Sequence, residues 1–130
     1  MLHGIGVDIV SIERMRDVVE KWGIKFLHRV FTLTEIAYCY EKKDPYPSLA
    51  VRFAAKEAVI KAIGAEECIS LTDIEVSNNG NAKPVITPRG KLEQLLRQRA
   101  ICSVHLSLSH DREYGIAFVT LEQKAGGDQG

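Results

Sequence analysis

The stretch RFAAKEAVIKAIG, residues 52–64, decides the fold, because it is an uninterrupted run of helix-forming residues in the middle of the chain. Ser48 is a plausible N-cap and Gly64 a typical stop signal, so the sequence predicts one long helix over residues 49–63. Its alanine content predicts close packing on several sides. At about 100° per residue, the core-facing stripe contains the following apolar residues: Leu49, Phe53, Ile60 and Ile63.

Three charged residues stand out on this predicted helix. Lys56 lies inside the apolar arc, and such a break in the binary pattern often marks a functional site. Glu57 and Lys61 are four residues apart, which places their side chains next to each other on one edge of the stripe. Taken alone, these two residues are most simply interpreted as a surface ion pair, which contributes about 0.2–1 kcal/mol.

A second candidate site residue, Asp8, lies in an apolar N-terminal segment. Residues 2–10 alternate and are rich in Ile, Val and Gly, which predicts a strand. An ionised carboxylate is costly there unless it is paired, caps the helix that starts near Ser11, or binds a metal. Mg²⁺ typically takes one or two carboxylates plus phosphate oxygens and water. Asp8 and Glu57 would suit such a site, with Lys61 or Lys56 meeting the phosphate charge.

The rest of the chain predicts alternating short helices and strands. Ser11 should cap a helix that Gly23 ends, Thr34 should cap another, and DPYP at residues 44–47 should break the chain. Pro88 should open the last helix. The predicted helices cover residues 12–22, 26–31, 35–42 and 88–99. The predicted later strands cover residues 72–77, 84–87, 103–109 and 114–121, with a turn at residues 78–81.

Composition restricts the class of protein. The 130 residues suit one domain of α+β class, which we expect at residues 1–122, followed by a mobile tail at residues 123–130. Lys plus Arg and Asp plus Glu both total 17, which argues against a nucleic-acid-binding protein. We expect no membrane span and no signal peptide. The three cysteines follow no metal or disulfide spacing and suit buried positions in a cytoplasmic protein: Cys39, Cys68 and Cys102.

Several motifs together resemble one known family. GIGVDIV at residues 4–10, followed by Arg14, and the central stretch at residues 52–64 resemble the two signatures of the holo-acyl-carrier-protein synthases, in the 4′-phosphopantetheinyl transferase superfamily. Agreement extends over about residues 2–122 and includes FTLTE (31–35), VHLSLSH (104–110) and AFV (117–119). The chain departs from the family at AKP (82–84), where Gly-Lys-Pro is usual, so the turn and any backbone contact to a ligand there can differ.

The resemblance implies an activity, a fold and an assembly. Family members transfer 4′-phosphopantetheine from coenzyme A to a serine of apo acyl carrier protein, with Mg²⁺, for fatty acid biosynthesis, and release adenosine 3′,5′-bisphosphate. The implied fold is a small antiparallel sheet packed on a long central helix. The implied assembly is a homotrimer whose active sites lie between neighbouring subunits.

The resemblance also implies roles for individual residues. Asp8 and Glu57 would bind Mg²⁺, with Glu57 acting as the base either directly or through a metal-bound water. Lys61 would contact the phosphates of coenzyme A and assist transfer. Further contacts to coenzyme A are expected from Lys56 and from His105, which lies on the polar face of its strand but also suits a hydrogen-bonded structural role. Arg14, at the family's signature position, would dock the acidic carrier protein, although its stretch also holds Glu13, Asp17 and Glu20 and suits a mixed solvated face.

Two other classes of function use the same residues. A Mg²⁺-dependent phosphohydrolase would use both carboxylates with water as the nucleophile, and would release phosphopantetheine without any carrier. A non-catalytic module would bind coenzyme A without turnover on any carrier. Neither alternative explains the two signature motifs.

Overall fold

The computed structural model describes residues 1–64, 68–78 and 83–125. These residues form five α-helices, five β-strands and one 3-10 turn, in the α+β class that the sequence predicts. In chain order the elements are β1 (Leu2–Ser11), α1 (Ile12–Trp22), α2 (Ile24–Val30), α3 (Leu33–Tyr40), α4 (Tyr46–Ile63), the 3-10 turn (Leu71–Asp73), β2 (Ile74–Asn78), β3 (Pro84–Pro88), α5 (Gly90–Gln98), β4 (Ile101–His110) and β5 (Tyr114–Gln123).

Two small antiparallel sheets organise the described chain. The larger has the strand order β1-β5-β4, and the smaller pairs β2 with β3. In the larger sheet Asp8 lies opposite Ala117, whereas Ile5 and His105 flank Thr120 on either side. Successive residues of a strand point to opposite faces of the sheet, and residues paired across strands share a face. Asp8 and Ala117 therefore belong to one face of the sheet, and His105 belongs to the other.

Helix α4 packs very closely on the inner face of the larger sheet. A Cβ atom on Gly4 or Gly6 would collide with the backbone carbonyl oxygens of Ala62 and Ala58, respectively. The two strand glycines and the two helix alanines therefore permit a backbone approach that larger residues would prevent. This close contact brings the end of β1, with Asp8, against the second half of α4.

The burial of α4 differs from the single stripe that its sequence predicts. Leu49 and Ile63 are buried as expected, but Phe53 and Ile60 are only partly buried. The helix is covered on nearly every side because the sheet, β2 and the helices α1 and α3 all contact it. The same helix contributes to two hydrophobic cores, one under the sheet and one among α1, α2 and α3. Its partly exposed strip contains Phe53, Glu57, Ile60 and Lys61.

Several predicted helix starts are wrong by a few residues. Thr32, not Thr34, caps α3, because its side chain and that of Glu35 form a reciprocal capping box. Helix α4 begins at Tyr46, so Pro47 lies in its first turn, where a missing N–H is tolerated. Pro88 ends β3 and does not open α5, which starts at Gly90.

Strand β5 extends into the first residue of the predicted tail. Gln123 belongs to β5, and its backbone N–H donates to the Met1 carbonyl oxygen at 2.7 Å. Most of the predicted turn (residues 79–81), Ala82 of the AKP motif and the last five residues of the predicted tail lie outside the described residues. The three cysteines are free, but only Cys39 is buried. No helix in the described ranges is long and apolar enough to cross a membrane.

Candidate active site

Asp8 and Lys61 meet where β1 crosses α4. The Lys61 Nζ atom donates to Asp8 Oδ1 at 2.9 Å and to the Val7 carbonyl oxygen at 3.1 Å. The Asp8 side chain is 17% exposed and that of Lys61 is 54% exposed, so the pair faces solvent. Asp8 is therefore an ion-paired carboxylate at the edge of the core, and not an isolated charge inside it.

Glu57 lies beside this pair and is partly buried. Desolvation raises the pKa of the Glu57 carboxyl group, and the negative charge of Asp8 adds to that rise. The Lys61 ammonium opposes both effects and lowers the same pKa. Two carboxylates that repel each other in a partly dehydrated setting favour a bound cation, which would relieve the repulsion.

A cleft of about 450 Å³ opens next to the two carboxylates. Asp8 and Glu57 line it from β1 and α4, and Arg14 lines it from the first turn of α1. The Ser11 side chain accepts a hydrogen bond from the Arg14 backbone N–H at 3.2 Å, which caps α1 and fixes its start beside the cleft. The structure therefore brings Asp8, Glu57 and Arg14 to one cleft, with Lys61 hydrogen-bonded to Asp8. Their roles in binding metal, coenzyme A and carrier stay predictions.

Lys56 is placed elsewhere, although it precedes Glu57 in the chain. Its side chain is fully buried, and its ammonium contacts Glu35 Oε1 at 2.8 Å and the carbonyl oxygens of Leu71 and Ile74 at 3.0 and 2.7 Å. These three acceptors use all of its N–H donors. The predicted contact between Lys56 and coenzyme A therefore has no support in this geometry, and the break in the binary pattern reflects a buried ion pair.

His105 is also separated from the cleft within the described chain. It lies on the outer face of the sheet, whereas Asp8 faces α4. Its Nε2 atom lies 3.0 Å from Glu122 Oε1, and the two side chains are 61% and 48% exposed. The hydrogen bond to His105 lowers the pKa of Glu122. A single copy of the chain does not bring His105 next to Asp8 and Glu57.

Sequence reasoning missed the apolar part of the cleft. Its lining includes Met15, Val18, Phe26 and Phe53, of which Phe53 was predicted to belong to the core. Val18 and Phe26 also line a second cleft of about 460 Å³, together with Trp22, Lys25 and Arg29. The spacing of Met15 and Val18 on α1 predicts that they line the cleft only when the position of α1 against α4 is already known.

Comparison with known proteins identifies the family. The sequence profile of the 4′-phosphopantetheinyl transferase superfamily matches residues 4–119. The chain belongs to this superfamily. A holo-[acyl-carrier-protein] synthase from Halothermothrix orenii is 44% identical to this superfamily member over 124 residues, covering 95% of this chain and 99% of the relative. One from Syntrophus aciditrophicus is 43% identical over 124 residues, covering 94% and 97%.

Solved structures of superfamily members agree with the fold. The crystal structure of holo-[acyl-carrier-protein] synthase from Neisseria meningitidis aligns with a TM-score of 0.87 at 34% identity, covering 95% of this chain and 100% of the other. The Helicobacter pylori enzyme in complex with coenzyme A aligns with a TM-score of 0.79 at 35% identity, covering 91% and 99%. The family resemblance and the fold class that the motifs predict are therefore confirmed.

Proposed function

We propose that this chain transfers 4′-phosphopantetheine from coenzyme A to a serine of apo acyl carrier protein, in support of fatty acid biosynthesis. The observation that carries the proposal is a cleft lined by Asp8 and Glu57, with Lys61 hydrogen-bonded to Asp8, in a member of the phosphopantetheinyl transferase superfamily. Relatives that carry the name holo-[acyl-carrier-protein] synthase cover nearly the whole chain, which supports the same activity.

Asp8 and Glu57 are the residues that would hold Mg²⁺. Among the described residues, no group of three or more His, Cys, Asp or Glu side chains could hold a metal. A pair of carboxylates nevertheless fits Mg²⁺, which takes its remaining ligands from water and substrate phosphate. Lys61 occupies one oxygen of Asp8 and leaves the other available. When bound, Mg²⁺ would neutralise charge that develops on the transferring phosphate.

The remaining chemistry is assigned to side chains of the chain. The serine oxygen forms a bond to the β-phosphorus of coenzyme A, and the bond from that phosphorus to the bridging oxygen breaks. Adenosine 3′,5′-bisphosphate leaves with the bridging oxygen. Glu57 accepts the serine proton, directly or through water. The half-exposed ammonium of Lys61 meets the negative charge of the pyrophosphate.

The carrier protein would dock along α1 and α2. Arg14 is exposed and lines the same cleft as the two carboxylates, so it lies beside the position that the incoming serine must reach. The second cleft continues this surface with two basic residues and the exposed Trp22. Acidic side chains and an apolar anchor on the carrier would suit such a mixed surface.

A homotrimer would complete the site with His105 from a neighbouring copy. The outer face of the larger sheet is apolar and exposed although it lies directly behind the core. A second copy on this face would cover apolar area and would bring chain from another subunit towards coenzyme A. The exposed apolar residues of this outer face are Ile5, Val7, Ile9, Ile116 and Phe118.

Acyl carrier protein and coenzyme A are cytoplasmic substrates, so we assign the enzyme to the cytoplasm. Three free cysteines, two of them exposed, suit a reducing compartment.

The experiment that tests the function measures the mass of the carrier protein before and after the reaction. Purified protein is incubated with coenzyme A, Mg²⁺ and an apo acyl carrier protein, and the carrier is analysed by mass spectrometry. A mass increase equal to phosphopantetheine on the native carrier, and none on a carrier whose acceptor serine is replaced by alanine, is expected. Phosphopantetheine released without carrier would instead indicate a phosphohydrolase. Coenzyme A bound without turnover would indicate a binding module.

A further inference from the structure

The buried ion pair between Glu35 and Lys56 lies outside the cleft and has no part in the chemistry proposed above. Both side chains are fully buried, and the atoms Lys56 Nζ and Glu35 Oε1 are 2.8 Å apart. The same ammonium donates to the carbonyl oxygens of Leu71 and Ile74. A single side chain of α4 is thus tied to α3, to the 3-10 turn and to the start of β2.

The Glu35 carboxylate is equally well satisfied. Its Oε1 also accepts the Thr32 backbone N–H at 2.9 Å, and its Oε2 accepts the Val76 backbone N–H at 2.7 Å. Burial lowers the pKa of Lys56, and the adjacent Glu35 carboxylate opposes that shift. A charged pair with this many fixed partners defines one geometry, because each displacement breaks several hydrogen bonds at once.

A second ion pair continues the network away from α4. Glu75 Oε2 accepts the Thr32 hydroxyl at 2.7 Å, and Glu75 Oε1 accepts both Nε and Nη2 of Arg89 at 2.9 and 2.6 Å. The side chain of Arg89 is 57% exposed. Arg89 holds Glu75 between β2 and the segment before α5, and the Glu75 charge also acts on Lys56. Replacing Arg89 leaves the hydrogen bonds of Lys56 in place, so it is a suitable control.

The position of Lys56 on α4 relates the network to the cleft. At about 100° per residue, Lys56 and Ala58 lie on nearly opposite sides of the helix, with Glu57 between them. Ala58 is held against Gly6 of β1, so backbone contact fixes one side. The network fixes the other side. Two fixed sides determine how α4 is rotated about its axis, and therefore where Glu57 points.

We propose that Glu35 and Lys56 are positioning residues that hold α4 in the rotation at which Glu57 and Lys61 face Asp8. This inference rests on the proposed function of that site. Stability alone does not explain the pair, because replacing a buried ion pair with apolar residues is often neutral or stabilising. The pair is explained if α4 must be held in one rotation so that Glu57 stays beside Asp8.

The test compares Glu35→Gln/Lys56→Met with the control Arg89→Gln. Transfer is measured against Mg²⁺ concentration, and Mn²⁺ binding in the presence of coenzyme A is measured by electron paramagnetic resonance. The double variant should need about 10- to 100-fold more metal in both measurements, since partners behind metal ligands act on affinity at this scale. Its KM for the carrier should stay near that of the wild type. Arg89→Gln should lower the melting temperature and leave metal affinity unchanged.

The other outcomes contradict either the positioning role of the pair or the proposed transfer activity, and the two cases can be distinguished. The pair would have only a general structural role if the folded double variant kept its Mn²⁺ affinity. The same would hold if Arg89→Gln lost as much Mn²⁺ affinity as the double variant. If the double variant does not fold, Glu35→Asp, which keeps the charge and shortens the reach, must show the same loss of metal affinity. Absence of transfer by the wild type counts against the proposed function, whereas normal affinity in these variants counts against the positioning role alone.

Discussion

Lys61 on α4 and Asp8 on β1, 53 positions apart in sequence, form a hydrogen-bonded ion pair with an Nζ to Oδ1 distance of 2.9 Å. Both side chains contact solvent, so the pair itself contributes about 0.2–1 kcal/mol to stability. Close packing of α4 on the glycines of β1 already brings the two elements together. The pair therefore matters for the position of charge at the cleft more than for the stability of the fold.

Replacing either carboxylate should abolish transfer. Asp8→Ala and Glu57→Ala each remove one of the two side chains that would hold the metal between protein and pyrophosphate. Neither residue is part of the two hydrophobic cores, so circular dichroism should stay near that of the wild type. Carrier modification by mass spectrometry measures the activity. Substantial transfer at ordinary Mg²⁺ concentrations would remove the substituted residue from the metal site.

Lys61→Ala should weaken both coenzyme A binding and turnover. Loss of one charge-assisted phosphate contact costs about 1.5–3 kcal/mol, and steady-state kinetics with varied coenzyme A would measure it. The Glu57 pKa should rise further because the Lys61 ammonium lowers it in the wild type. A pH titration of the metal-free variant should therefore show Glu57 ionising at a higher pH than in the metal-free wild type. Unchanged kinetics would show that Lys61 serves only as the ion-pair partner of Asp8.

Glu57→Gln should stabilise the metal-free protein near neutral pH. The Glu57 pKa is raised in the folded state, so the folded state binds this proton more tightly than the unfolded chain does. Ionisation of Glu57 therefore costs the wild type stability once the pH exceeds the folded pKa, and glutamine avoids that cost. The gain in melting temperature should be present at pH 7 and disappear below the unmodified pKa of 4.5. A gain that persists in acid would have a different origin.

Phe118→Asp should dissociate the proposed trimer. Phe118 lies on the outer face of the central strand β5, between Val7 and Ser107, and is 43% exposed in the single chain. A carboxylate there would be buried without a partner in an assembly. Light scattering should show a monomer with little transfer activity. Leu33→Asp is the matched control, because Leu33 is 71% exposed on α3, away from this face. A wild-type monomer with full activity would exclude the trimer.

Local sequence signals predicted most elements because each carries its own pattern. The alternation in β4 and β5 and the cap and stop of α1 are determined by neighbouring residues, and both agree with the structure. The start of α3 was misplaced because Thr32 and Thr34 are both good caps. Only the reciprocal hydrogen bonds with Glu35 distinguish them, and Glu35 is held in place by Lys56 and by Val76 of β2.

The candidate site was predicted from the sequence only where residue type and motif agreed. Asp8, Glu57 and Lys61 combine both signals, and the structure brings them together. Lys56 carries the same charge as Lys61 and stands in the same motif, yet it points to the opposite side of α4. Its partner Glu35 is 21 positions away, and no local pattern connects the two. Long-range packing, which sequence periodicity does not encode, decides which lysine pairs with Asp8.

Arg14→Glu should weaken the use of the carrier protein as a substrate far more than the use of coenzyme A. Arg14 is exposed at the start of α1 and lines the cleft that holds Asp8 and Glu57. Acyl carrier proteins are acidic, so under the proposed docking role a basic residue there would speed association, whereas a carboxylate would repel the partner. The KM for the carrier should rise strongly and the KM for coenzyme A only slightly.

Salt dependence separates docking by Arg14 from a role in the fold. Charge attraction between exposed groups is screened within about 10 Å at 0.1 M salt, so the wild-type KM for the carrier should rise with ionic strength. The rise should be less steep in Arg14→Glu, because the attractive charge is already gone. Arg97→Glu makes the same change in net charge on α5, outside the cleft, and should leave both the KM and its salt dependence near wild type. Equal effects of Arg14→Glu on both substrates would assign Arg14 to the coenzyme A site, and equal effects of the two variants would indicate net charge alone.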